Sequence, residues 1–256
     1  MAKKFYGPNQ SEEDMKKLMV VIAVAAIVSF TGTAMAANNL TVNGTAALEG
    51  SYGLSVNIDG TDNLGDAYVV SDHPANETLY RFKFLLNPGT FQMDVGAAPY
   101  RYLLMGDGFS AGGTPPHFLF VWLMETSSGL WRLQANARLD AGGFQEWDLA
   151  LPLCDQAGGA IDCSTIGPIP IQVEWAAATS PGANNGYIKV GRSWDGGVTF
   201  TNYIDVTGMD NDEYDIDAAW FGAIFMANAT HNNPSGANGA GSFYFDGFES
   251  YRSTAP

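Results

Sequence analysis

Residues 131–138 read WRLQANAR, with Trp131, Leu133, Ala135 and Ala137 alternating with Arg132, Gln134, Asn136 and Arg138. A period of two sends successive side chains to opposite faces of an extended chain. The stretch is therefore a strand with one face in a core and one in water. The pattern recurs along the chain. Tyr80, Phe82, Phe84 and Leu86 alternate with Arg81 and Lys83. Ile169, Ile171, Val173 and Trp175 alternate with Gln172 and Glu174, and Tyr52, Leu54, Val56 and Ile58 with Gly53, Ser55 and Asn57. The run HFLFVWLME at 117–125 is apolar on both faces, which predicts a central strand covered on its second side as well. Helical spacing is nearly absent. Gly, Pro, Asn and Asp separate the strand signals, and PGANNG at 181–186 holds two hairpin dipeptides, Pro-Gly and Asn-Gly. NNPSGANGAG at 232–241 reads as a loop. The expected fold is all-β, a two-sheet antiparallel β-sandwich with Trp131, Trp147, Trp175, Phe82, Phe84 and Trp122 in its core.

Ahead of this pattern stands MKKLMVVIAVAAIVSFTGTAMA, residues 15–36. Lys16 and Lys17 precede an apolar run, Leu18–Val28, and Ala34-Met35-Ala36 is a small-x-small cleavage site. A cleavable signal-peptide helix is expected within residues 1–36, and one sandwich domain over 37–256. Leu18–Phe30 falls short of the roughly 20 residues that span a bilayer. A type IV pilin leader would need a Gly-Phe junction and an acid at mature position five, and neither is present. The expected location is periplasmic, extracellular or cell-surface, with no stable membrane span after cleavage.

Of 12 basic and 27 acidic residues, four Lys and three acids lie before Ala37, which leaves eight against 24, a net charge of −16. Such a surface repels nucleic acid and anionic membranes and offers carboxylates to divalent cations. Cys154 and Cys163 flank the loop CDQAGGAIDC, and in an oxidising compartment they predict a local disulfide.

Several segments together resemble the concanavalin A-like (laminin-G-like) jelly-roll domains of secreted bacterial proteins. They are GSYGLSVNI at 50–58, AYVVSDHPANETLYRFKF at 67–84, IQVEWAAATSPGANNGYIKV at 171–190, TGMDNDEYDIDAAWFGAI at 207–224 and FYFDGFES at 243–250. The resemblance implies a glycan-binding or adhesive role more readily than catalysis. It also implies a calcium ion tying the first strand to the last, for which Glu49 and Asp246 offer carboxylates.

Four motifs bear on chemistry. Ser193–Phe200, SWDGGVTF, matches the Asp-box known from sialidases, in which the Asp accepts turn N–H groups; a structural hairpin is expected. Glu213-x-Asp215-x-Asp217 resembles the E-x-D-x-E run of retaining glucanases on the same jelly roll, which implies Glu213 as nucleophile and Asp217 as acid. Asp217 is one methylene short for that role, and no glycosidase activity is expected. The wet face of 130–138, with Arg132, Gln134, Asn136 and Arg138, suits sugar hydroxyls, and Arg81, Lys83 and Glu174 extend it on neighbouring strands. The competing reading is a solvated face with charges paired across strands. His73, His117 and His231 form no metal-spaced cluster. The expected function is a non-enzymatic, carbohydrate-binding or cell-surface adhesive module. The alternatives are a glycoside hydrolase or lyase on the same scaffold, and a purely structural extracellular protein.

Overall fold

The structure, a computed structural model, describes residues 39–58, 67–91, 100–109, 117–126, 130–148, 153–155, 162–163, 165–224 and 241–252. The expected signal peptide, residues 1–36, and residues 232–240 of the expected loop lie outside them. Every strand pairing is antiparallel, and the strands form two sheets. The first runs β1 (Asn39–Asn43), β2 (Gly53–Ile58), β14 (Gly241–Arg252), β4 (Leu79–Asn87), β10 (Ile169–Ala176), β11 (Gly186–Arg192), β12 (Thr201–Met209). The second runs β3 (Ala67–Glu77), β13 (Ile216–Ile224), β5 (Tyr100–Phe109), β6 (His117–Thr126), β7 (Leu130–Arg138), β8 (Phe144–Asp148). The short β9 (Cys154–Asp155) pairs with β7. Late strands return between early ones, β14 between β2 and β4 and β13 between β3 and β5, as in jelly-roll sandwiches. Among the described residues no helix is long and apolar enough to cross a membrane.

The alternating rows meet between the sheets. Tyr80, Phe82, Phe84 and Leu86 of β4 are buried beside Ile169, Ile171, Val173 and Trp175 of β10. From the second sheet, Phe221 meets Phe82 and Phe84 edge-on at 5.3 and 5.5 Å, and Phe118 lies 5.2 Å from Trp175. Trp131, Leu133, Ala135 and Ala137 of β7 are fully buried, so the register read from WRLQANAR holds. β6 is central, between β5 and β7.

Trp122 lies on β6, paired with Gln134. Tyr52, read in one alternating row with Leu54, Val56 and Ile58, is exposed just ahead of β2, which is a correction. There the chain doubles back so closely that a Cβ on Gly53 would sit 2.0 Å from the Ala46 carbonyl oxygen. Trp147 is half-buried against the core.

Cys154 and Cys163 are bonded, with Cα atoms 4.8 Å apart. The bridge does more than close a surface loop. Cys154 is buried and pairs with Trp131, and the Leu153 carbonyl accepts a hydrogen bond from Arg192 Nη1 of the first sheet at 2.5 Å. The turn after β12 is anchored by Asn211, whose fully buried amide accepts from Ala178 N–H at 2.9 Å and donates to the Ala176 carbonyl at 3.2 Å.

Candidate functional site

The outer face of the second sheet gathers the polar half of WRLQANAR. Because Trp131, Leu133, Ala135 and Ala137 point into the core, Arg132, Gln134, Asn136 and Arg138 line the opposite face over about 20 Å of strand. This face was expected to be in water, and that is corrected. Gln134 is 5% and Asn136 4% exposed, and both arginines are half-buried. The Nε–H groups of Arg132 and Arg138 are enclosed and find no acceptor among the described residues. An enclosed donor left unmade costs about 1–3 kcal/mol, so a row of them is suited to acceptor oxygens supplied by a ligand.

Register carries this face across the sheet. Val70 of β3, Trp220 of β13, Asp107 of β5, Phe120 of β6, Asn136 of β7 and Glu146 of β8 form one cross-strand row. Trp220 is stacked on Tyr68, centroids 4.5 Å apart and 8° from parallel. Asp148 pairs with Gln134, and Phe144 with Arg138, whose guanidinium carbon lies 5.7 Å from the Phe144 ring centre. The face thus combines aromatic surface with guanidinium and amide groups.

Arg81, Lys83 and Glu174 do not extend this face, which is a correction: they lie on β4 and β10 of the other sheet. There the charges pair across strands, Arg81 with Glu174 at 3.7 Å, Lys83 with Glu249 at 3.2 Å and Lys189 with Asp205 at 3.9 Å.

The acidic run does not share one strand face either. Glu213 is exposed in the turn before β13, and Asp217 sits at the register shift between Ile216 and Ala218. The Asp140 carboxylate shapes that turn by accepting the N–H groups of Asp212 and Glu213 at 3.1 and 3.3 Å. Burial, then the Asp212 carboxyl, raises the Asp140 pKa above 3.8. Asp140, Asp210 and Asp212 bring one oxygen each within 4.8 Å of one another. Burial, then Asp217, raises Asp215 likewise.

Asp246 does tie the last strand to the start of the domain, through hydrogen bonds. Its Oδ2 accepts from Leu48 and Glu49 N–H at 2.9 and 2.8 Å, and Oδ1 from Gly247 N–H at 2.8 Å. Glu49 thus meets Asp246 through its backbone. His73 and His117 lie on β3 and β6, and His231 is outside the described residues.

The Asp-box folds as the expected hairpin. Asp195 accepts from Val198 and Thr199 N–H and from Thr199 Oγ1, while Ser193 Oγ accepts from Gly197 N–H, a residue at φ 92°. The hydroxyls of Ser193 and Thr199 hold the Asp195 carboxyl far below 3.8. A depressed carboxyl contributes stability above its unfolded pKa and loses it as pH falls through the folded value. Asp195→Asn should therefore melt earlier than the parent at neutral pH, with the gap closing below pH 3.8. A pH series of melting temperatures checks this.

No protein-family model matches the chain, and no curated protein does. Solved structures do. An alginate lyase from Alteromonas sp. 272 is 9% identical, with a TM-score of 0.45, over 84% of this chain and 95% of that one. Cellulose induced protein, Cip1, is 15% identical at a TM-score of 0.45 over 87% of this chain and 89% of its own. The binding domain of Paraclostridial Mosquitocidal Protein 1 is 10% identical at 0.48, over 85% of this chain and 43% of that one. Further similar structures are alginate lyases from a Chlorella virus and from Zobellia galactanivorans. The expectation of a non-enzymatic binding or adhesive module is corrected here: the neighbours named include polysaccharide lyases. At such identities the likeness concerns the fold, and no residue is matched from it.

Proposed function

We propose that the protein is an exported polysaccharide lyase that cleaves a uronate-containing polymer along the outer face of β7. The observation that carries this reading is the enclosed row Arg132-Gln134-Asn136-Arg138, in which the Nε–H groups of Arg132 and Arg138 lack acceptors among the described residues. Export is supported by the signal-peptide pattern and the Cys154–Cys163 bond.

The chemistry of elimination fits such a row. A base removes the proton beside the uronate carboxylate, and charge develops on the carboxylate oxygens. The bond to the leaving sugar oxygen then breaks, that oxygen is protonated, and a carbon–carbon double bond remains in the new end. No oxidant or metal is needed. The demanding step is stabilising the developing charge, which fixed donors in a water-poor site do best. Arg132 and Arg138 supply positive charge, and the stacked Tyr68–Trp220 pair gives an apolar surface for sugar rings.

A retaining hydrolase instead needs two carboxyl groups about 5–5.5 Å apart. Glu213 in its exposed turn and Asp217 at a bulge do not share a strand face. Incubation with alginate and polygalacturonate, followed by ultraviolet absorbance, tests the reading: a lyase generates a conjugated double bond, and a hydrolase generates reducing ends without one.

A further inference from the structure

The hairpin between β11 and β12 holds up an exposed tryptophan. Trp194 is the second residue of the Asp-box and is 51% exposed. Single exposed apolar residues are ordinary; this one is fixed from three directions. Beneath it lies the Arg192 guanidinium, its carbon 3.4 Å from the ring centre. Arg192 is itself buried and donates to the Leu153 carbonyl, so the support does not swing. Burial lowers the Arg192 pKa to about 10, which leaves it charged at neutral pH. At the ring edge, Trp194 Nε1–H donates to Tyr203 Oη at 2.7 Å. In the backbone, Ser193 and Asp195 flank the residue and lock the turn through their own side-chain hydrogen bonds.

We propose that Trp194 is a second sugar-binding position, a stacking platform for the C–H face of one pyranose ring of the polymer, separate from the β7 row. The proposal takes its ligand class from the lyase reading. The indole's only polar atom is committed internally, so the surface left to a partner is aromatic and carries no hydrogen-bonding demand. That surface suits the apolar face of a sugar ring. One half-exposed side chain is far too small for a stable protein partner, which covers about 800 Å² per side. The fixed geometry also means that little side-chain entropy is lost on binding. Trp194 stands on the first sheet and Arg132 on the second, so a polymer held at the hairpin leaves the cleavage row free.

The test compares the secreted protein with Trp194→Ala and Trp194→Phe, after matching melting temperatures. Binding of polymannuronate is read by titration calorimetry, and turnover is read on a uronate tetramer. Trp194→Ala is expected to weaken polymer binding about tenfold, Trp194→Phe to retain most of it, and tetramer turnover to stay unchanged in both. Polymer affinity unchanged in Trp194→Ala, or no binding by the parent protein, overturns the platform. A parent that binds polymer through Trp194 and turns over no uronate keeps the platform and removes the lyase reading, so the two failures are told apart.

Discussion

Arg132→Ala lowers turnover of a polyuronate by about a hundredfold to a thousandfold, the usual loss when one donor to developing charge is removed. The expectation follows from where Arg132 sits. Its strand neighbours Trp131 and Leu133 belong to the core, which fixes the backbone, and its own Nε–H is enclosed without an acceptor among the described residues. Removing the guanidinium therefore takes away an Nε–H that no acceptor among the described residues engages. The melting temperature should hold or rise slightly, because an enclosed, unmade donor is relieved. Arg132→Lys restores charge without the planar fork and should recover only part of the rate. Steady-state kinetics alongside thermal melts separate this outcome from unfolding.

Trp175→Ala destabilises the domain by roughly 3–5 kcal/mol. Trp175 is fully buried on β10, pairs with Tyr80 and Ile188, and meets Phe118 of the opposite sheet at 5.2 Å. Truncation opens a cavity between the sheets at a point where both contribute aromatic rings. Trp175→Phe should cost much less. It keeps a ring in the gap and discards an indole N–H that has no partner among the described residues. Denaturant melts of the two variants check both the size and the order of the losses.

The inward rows of β4, β7 and β10 were legible because alternation is a local property, and each row needs only its own residues to declare a face. The order of strands was not. Arg81 and Lys83 read as neighbours of the 131–138 strand, yet they lie on the other sheet, because β14 returns between β2 and β4 and places β4 beside β10. The polar row of β7 was legible in composition. Its burial was not, since exposure on a sheet face is set by neighbouring strands and not by the strand's own alternation. The acidic run misled for a related reason: E-x-D-x-D has strand spacing, but the Asp140 carboxylate captures the N–H groups of Asp212 and Glu213 and holds the first acid in a turn. The Asp-box was read correctly as a hairpin, while the tryptophan it presents gave no signal, because exposure and the Arg192 stack are tertiary facts.

The most direct measurement of the central claim is the ultraviolet absorbance of alginate and polygalacturonate digests made with the secreted protein and with Arg132→Ala. The account predicts that unsaturated ends accumulate with the parent protein on at least one of these polymers and fail to accumulate with the variant. New reducing ends without a double bond, or equal activity in Arg132→Ala, would contradict it.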